Sequence, residues 1–159
     1  MKCMEGEGMK ITTKIFGEIQ VDDEKLLTFN EGIIGFPDLK HFMLIHDNET
    51  EKKKFISWLQ SIEEPAFAMP VIDPLRIKPD YNPEVEDELL SPIGGIENTE
   101  NVLVLTTVTV PSDIEKISVN LKAPIVINAD TRKACQIILS DDKYLVKFPI
   151  YEIIKGNKR

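Results

Sequence analysis

The side chains in this sequence with the means to do chemistry are few and scattered. His41 and His46 are the only histidines, five positions apart. On an extended strand an odd spacing puts them on opposite faces, which disfavours a shared metal or acid–base site. Cys3 and Cys135 are the only cysteines, with no CxxC and no further thiol, so neither a disulfide framework nor a zinc cluster is available. Glu84, Glu86, Asp87 and Glu88 could supply a paired general acid and base. Acids crowded at a helix start, however, more often form a solvated face favoured by the helix dipole. The phosphate-binding glycine loop, the dinucleotide fingerprint, the zinc-protease helix and the serine nucleophile elbow are all missing. No catalytic residue, cofactor or metal is expected.

Charge points instead to a protein partner. Nineteen Lys plus Arg against 27 Asp plus Glu give 19 − 27 = −8, and an acidic surface disfavours direct contact with a nucleic-acid backbone or an anionic membrane. The acids are unevenly placed. Positions 79–115 hold nine Asp or Glu and no Lys or Arg, where the chain average would put about four basic residues in 37 positions. A contiguous acidic surface of this kind suits a cationic protein, because charge complementarity speeds encounter and rejects wrong partners. Glu84, Glu86, Asp87 and Glu88 are its candidate contacts. Two further places are candidates. The loop EGIIGFP at 31–37 carries two glycines three apart, which permit positive φ; it is either a structural connection or a patch in which Ile33, Ile34 and Phe36 stand partly exposed. The segment 120–128 offers Asn120, Leu121, Pro124 and Asn128. Pro124 cannot donate to a ladder, so it marks either the start of a covered strand or an edge open to strand addition.

The elements that position these residues read as strands. From 9 to 21, Ile11, Thr13, Ile15, Ile19 and Val21 share one parity and polar residues the other, a period of two with Gly17 at a turn or bulge. Short apolar runs recur at 26–29, 42–45, 55–59, 66–72, 102–110, 124–128, 135–139 and 144–148, separated by turn-forming residues. The run VLVLTTVTV at 102–110 reads as a strand covered on both faces. PIVIN and ACQIIL, joined by a polar turn at 129–133, form a hairpin. One segment reads as helical: Asn82 caps, Pro83 takes the first position, Val85 and Leu89 are four apart, and Pro92, Gly94 and Gly95 stop it. The fold class is mainly β, a small antiparallel β-barrel-like single domain with one or two short helices. The expected organisation is a flexible extension at 1–8, one domain at 9–150 and a C-terminal tail at 151–159, with translation able to begin at Met1 or Met9. With no signal-like apolar run and no 18-residue apolar stretch, the chain is expected in the cytoplasm. The Asn48-Glu49-Thr50 triplet is then an accidental match to a glycosylation pattern.

Four motifs in order carry a resemblance. MKITTKIFGEIQV at 9–21, EGIIGFPDLKHFMLI at 31–45, LTTVTVP at 105–111 and NLKAPIVINADTRKACQIIL at 120–139 together resemble the FliW flagellar assembly factors of bacteria. Ile34 stands where the family's glycine loop often carries Pro, and the region 82–96 matches only loosely. The resemblance implies a compact, barrel-like cytoplasmic protein without catalytic activity. It also implies two partners: newly made flagellin, bound near its terminal helical regions, and the RNA-binding translational regulator CsrA. When flagellin is scarce the factor is free to capture CsrA, which releases flagellin mRNA for translation. A monomer is expected, since no heptad or long apolar helix supplies a dimer seam. The rival reading is a small carbohydrate-binding or hydrolytic β-domain using Glu84, Asp87 or Glu88, for which a single tryptophan, Trp58, is thin provision.

Overall fold

The computed structural model describes residues 9–46, 56–95 and 99–156. The expected extension at 1–8 and the Asn48-Glu49-Thr50 triplet lie outside the described residues. The chain is mainly β. Strands β3 (Leu26–Phe29), β4 (His41–His46), β5 (Ile56–Ser61), β6 (Ala68–Ile72), β7 (Val102–Thr109), β9 (Ile125–Asn128) and β10 (Lys133–Gln136) close into a seven-stranded barrel. Closure comes from β7 pairing with β9 and β10 pairing with β3. The barrel is not wholly antiparallel, as the sequence suggested. β3 and β10 run parallel, with Lys133 opposite Thr28 and Ala134 opposite Phe29. The count requires it: strands alternating up and down around a ring of odd number must leave one neighbouring pair pointing the same way.

Strand alternation sends apolar side chains to two separate cores. Phe29, Phe42, Leu59, Val71, Leu105, Ile125, Ile127 and Ala134 fill the barrel, where the Phe29 and Phe42 rings meet edge-on at 5.3 Å. Their neighbours of opposite parity, Ile72, Val108 and Val126, face outward into a second core with Ile77, Tyr81, Ile93, Ile117, Val119, Leu121, Ile137, Leu139, Tyr144 and Ile150. Each fully buried aliphatic or Phe side chain contributes about 1.5–3 kcal/mol. The central part of β7 is therefore covered on both faces, in agreement with its run of β-branched and Leu residues, although Leu103 within it and Val110 just past its end are exposed. Its backbone serves three neighbours: β9 along 102–105, β6 at Thr106 and Thr107, and β8 (Ser118–Val119) at Val108 and Thr109.

β1 (Met9–Thr13) and β2 (Gly17–Val21) form a separate hairpin. It docks on the barrel through Phe16, edge-on to Trp58 at 5.9 Å, and through the Lys14 N–H to the Pro65 carbonyl at 3.3 Å. Ile15, which shares the inward parity in the sequence, falls in the hairpin turn and is exposed. The run 144–148 is not a strand. Tyr144 buries its ring against Tyr81 at 4.9 Å, and only Phe148 reaches strand β11 (Phe148–Pro149), which pairs with β8. The two short helices are α1 (Asp87–Leu90) and α2 (Tyr151–Gly156); Tyr151, Ile153 and Ile154 of α2 pack on the outer core. No helix among the described residues is long and apolar enough to cross a membrane.

The helix expected from Asn82 is shorter than its sequence signals. Residues 82–86 form no regular element, with Glu86 extended (φ −70, ψ 142) in the capping position and making no side-chain bond, and α1 begins only at Asp87. Two anchors override the local preference. The buried Tyr81 donates its hydroxyl to the Leu121 carbonyl at 2.7 Å, and Ile93 is fully buried. The chain between them crosses the outer core, and extended backbone advances about 3.3 Å per residue where a helix advances 1.5 Å.

Candidate docking surface

Three surface regions carry the residues singled out from the sequence, and the structure treats them differently. In the loop after β3, Gly32 (φ +71) returns its N–H to the Phe29 carbonyl at 2.9 Å, and Ile33 and Phe36 exchange backbone bonds of 3.3 and 2.8 Å around Gly35 (φ +89). This tight turn sends Ile33 into the barrel core, so it is not part of an exposed patch. Ile34 and Phe36 remain outside, 50% and 45% exposed, the Phe36 ring leaning on Phe67 at 4.7 Å. The loop is clipped to the barrel by Gln136. Its Oε1 accepts from the Ile34 N–H at 2.9 Å and its Nε2 donates to the Ala123 carbonyl at 3.0 Å.

The acidic segment lies over the outer core. Glu84 and Glu86 stand on the irregular stretch before α1 and Asp87 and Glu88 on α1, all four exposed. Beneath them Val85 and Leu90 pack on the outer core, and Leu89 is 45% exposed. The following turn is held by Asn128, read from the sequence as a contact residue, and by Thr131 and Asn30, which sequence reasoning did not single out. Asn128 Nδ2 donates to the carbonyls of Ile93 and Gly95, both at 3.0 Å, the Thr131 hydroxyl donates to the Ile93 carbonyl at 3.0 Å, and Asn30 reaches the Pro92 carbonyl at 3.3 Å.

The segment 120–128 turns inward. Leu121, Pro124 and Asn128 are buried, and Asn120 spends its Oδ1 on the N–H groups of Lys122 and Ala123 at 3.0 and 3.1 Å. β9 pairs with β10 on one side and β7 on the other. Pro124 therefore marks the start of a covered strand, and these four residues bind neighbouring chain. The hairpin itself forms as expected, Lys133 opposite Asn128.

The remaining titratable groups have local duties. Glu63 receives the His41 ring at 2.6 Å and the His41 and Lys40 N–H groups at 3.0 and 3.3 Å. Burial works to raise its pKa, but the bonds from His41 outweigh that and hold the carboxyl below its ordinary value. Burial pushes the Cys135 thiol up, with Glu31 adding to the rise, which keeps it a poor nucleophile. Burial, then Tyr144, raises the Tyr81 phenol, whose proton is held by Leu121. Among the described residues no group of three or more His, Cys, Asp or Glu could hold a metal ion.

Two concavities add to this picture. An apolar one of about 460 Å³ lies beside α2, lined by Trp58, Pro70, Val110, Ile114 and Ile154 with Lys155 at its edge. A more polar groove of about 530 Å³ separates the acidic segment from residues 137–141. The apolar concavity draws on separated strands and α2, so no contiguous motif announces it. Such surfaces suit the docking of protein segments.

Comparison with known proteins agrees with this geometry. A family model described as "FliW protein" matches residues 10–150. A flagellar assembly factor FliW from Lachnoclostridium phytofermentans is 47% identical over 144 residues, covering 91% of this chain and 92% of that protein. One from Lachnospira eligens is 47% identical over 147 residues, covering 92% and 97%. A crystal structure of the flagellar assembly factor FliW superposes with a TM-score of 0.81 at 31% identity, covering 90% of this chain and 97% of that one. The chain, with its seven-stranded barrel and acid-bordered outer core, belongs to the FliW family of flagellar assembly factors.

Proposed function

We propose that this chain is a cytoplasmic, non-enzymatic partner-switching regulator that binds flagellin and, when flagellin is scarce, captures the translational regulator CsrA and so relieves its repression of flagellin mRNA. The observation that carries the reading is the window 79–115, which has no basic residue and folds so that Glu84, Glu86, Asp87 and Glu88 are all presented to solvent. A regulator that binds RNA needs cationic surface, and the acidic segment is complementary to it. Flagellin binding rests on apolar contact, for which the concavity beside α2 and the Ile34 and Phe36 side chains provide exposed area. The switch needs only unfavourable coupling: whatever flagellin does to CsrA affinity, CsrA does to flagellin affinity by the same factor.

The test is size-exclusion chromatography and calorimetry of the purified chain with flagellin and with CsrA, followed by a gel-shift of flagellin leader RNA with CsrA. The expected result is a monomer that forms a one-to-one complex with flagellin, binds CsrA and frees the RNA. A chain that shifts with neither partner, or binds CsrA and leaves the RNA bound, overturns the reading.

A further inference from the structure

Backbone pairing in the β9–β10 hairpin continues past Gln136, where β10 ends. Ile137 and Leu139 donate their N–H groups to the Pro124 and Lys122 carbonyls at 3.0 and 2.8 Å, so the pairing runs on beyond the barrel. In an antiparallel pair, residues that bond to the partner strand alternate with residues whose N–H and C=O point the other way. Ile138 is of the second kind. On that other side β3 pairs only with Lys133 and Ala134. Past it the edge is bare: the Ile138 N–H and C=O take part in no hydrogen bond among the described residues, and the side chain is 64% exposed.

Residues 83–86 and 137–141, Ile138 included, line the two sides of a groove of about 530 Å³. Its walls are tied at either end, by the Asn82 N–H to the Tyr144 hydroxyl at 3.3 Å and by the Cys135 thiol to the Leu89 carbonyl at 3.8 Å. Between these ties no hydrogen bond joins 83–86 to 137–141. The charged residues lining the groove are Glu84, Glu86 and Asp141, with no Lys or Arg among the lining side chains. Glu84 and Glu86 enter no ion pair among the described residues, and Asp141 meets only Lys143 at 3.8 Å.

We propose that this groove accepts an extended, lysine- or arginine-bearing segment of a partner protein as an added strand, its backbone pairing with Ile138 and its cationic side chains facing Glu84, Glu86 and Asp141. The proposal deepens the reading above and rests on it for the partner's positive charge. Main-chain pairing supplies affinity in strand addition, and alternate side chains supply selectivity. A partner segment alternating basic with apolar residues satisfies both the carboxylates and the exposed Leu89 and Ile138 side chains. A helical segment has no free backbone groups to offer Ile138, and an acidic one meets three carboxylates.

The experiment is a nuclear magnetic resonance titration of the full chain with a short synthetic peptide alternating valine with lysine and arginine. Its controls are the same peptide N-methylated on alternate residues and a valine–glutamate peptide. Signals at 83–86 and 137–141 should move, exchange of the Ile138 amide should slow, and N-methylation should weaken binding about tenfold or more. Ile138→Pro should do the same, since the N–H it removes serves no bond among the described residues; if that variant fails to fold, the methylated peptide on the parent chain carries the test. Equal binding of the methylated or the glutamate peptide, no binding of the parent peptide, or shifts confined to other regions would overturn the proposal. Purified CsrA separates the two levels. CsrA binding that survives Ile138→Pro unchanged refutes strand addition and leaves the proposed function standing. Failure of CsrA and flagellin to bind the parent chain refutes that function, and the peptide titration then decides the groove separately.

Discussion

Gly32 and Gly35 sit three residues apart in one loop, both at positive φ, yet adding a methyl group should have different consequences at each. At Gly35 (φ +89) a Cβ would meet nothing within 4 Å, so Gly35→Ala bears only the cost of a left-handed backbone, about 1–2 kcal/mol. At Gly32 (φ +71) a Cβ would lie 2.5 Å from the Pro37 carbonyl oxygen and 2.6 Å from that of Phe36. These are backbone atoms and cannot swing aside. The Phe36 carbonyl also accepts the Ile33 and Leu39 N–H groups at 3.3 and 3.2 Å. Relieving the overlap therefore loosens those bonds, each worth about 0.5–1.5 kcal/mol, on top of the same φ cost. Gly32→Ala should lose about 2–5 kcal/mol, a large share of the stability of a domain this size. Urea unfolding followed by the fluorescence of Trp58, the only tryptophan, reads both variants. The midpoints should fall in the order parent, Gly35→Ala, Gly32→Ala, with similar slopes. Equal losses at the two positions would show that close approach at Gly32 is not what the loop depends on. A Gly35→Ala chain that melts like its parent but loses flagellin would make the loop a contact surface first.

Reversing Glu84, Asp87 and Glu88 to Lys should slow association with CsrA sharply and change dissociation less, because exposed charges act over distance. Added salt should mimic the variant, since screening already sets in at about 8 Å at physiological ionic strength; stopped-flow kinetics with flagellin as control would expose a mere folding defect as equal losses for both partners. Asn128→Ala should cost about 2–4 kcal/mol in thermal or urea unfolding, as it strips the Ile93 and Gly95 carbonyls of their shared donor; a loss within experimental error would mean the turn is held without it. In a Cys3→Ser background, Cys135 should alkylate with iodoacetamide more slowly than a free thiol at neutral pH, the rate rising only at more alkaline pH, because burial has raised its pKa. A rate equal to that of free cysteine would contradict the burial.

What the sequence made legible and what it hid divide along one physical line. Period-two patterns with turn residues between them identify strands, and the polar turn at 129–133 between two apolar runs identified the β9–β10 hairpin, although Lys133 already belongs to β10. A run apolar at both parities, as in Ile125, Val126 and Ile127, says only that both faces are covered. It does not say that one face lines a barrel and the other a second core. Local signals failed where a tertiary anchor competed with them. Asn82 and Pro83 satisfy the rules for a helix start, but a helix this short gains too few hydrogen bonds to offset its nucleation, and the anchors at Tyr81 and Ile93 hold residues 82–86 out of a helix.

That irregular stretch is also why the candidate surface was only partly visible. The acids at 84–88 are contiguous in sequence, and their exposure follows from composition. The edge they face is made by Ile138, an apolar residue in the run Ile137, Ile138, Leu139, which reads as core. Ile137 and Leu139 are 5% and 4% exposed while Ile138 is 64% exposed, so the alternation was present, but nothing in one sequence says where β3 stops covering its neighbour. The acidic stretch rides on the outer core and donates nothing to the closing ladder of the barrel. Changes to its charges are therefore separable from changes to the fold, whereas changes at Gly32 or Asn128 reach the fold directly. The proposed exchange between two partners would draw on that separation, because two affinities could then be set at the surface while one barrel holds both surfaces in place.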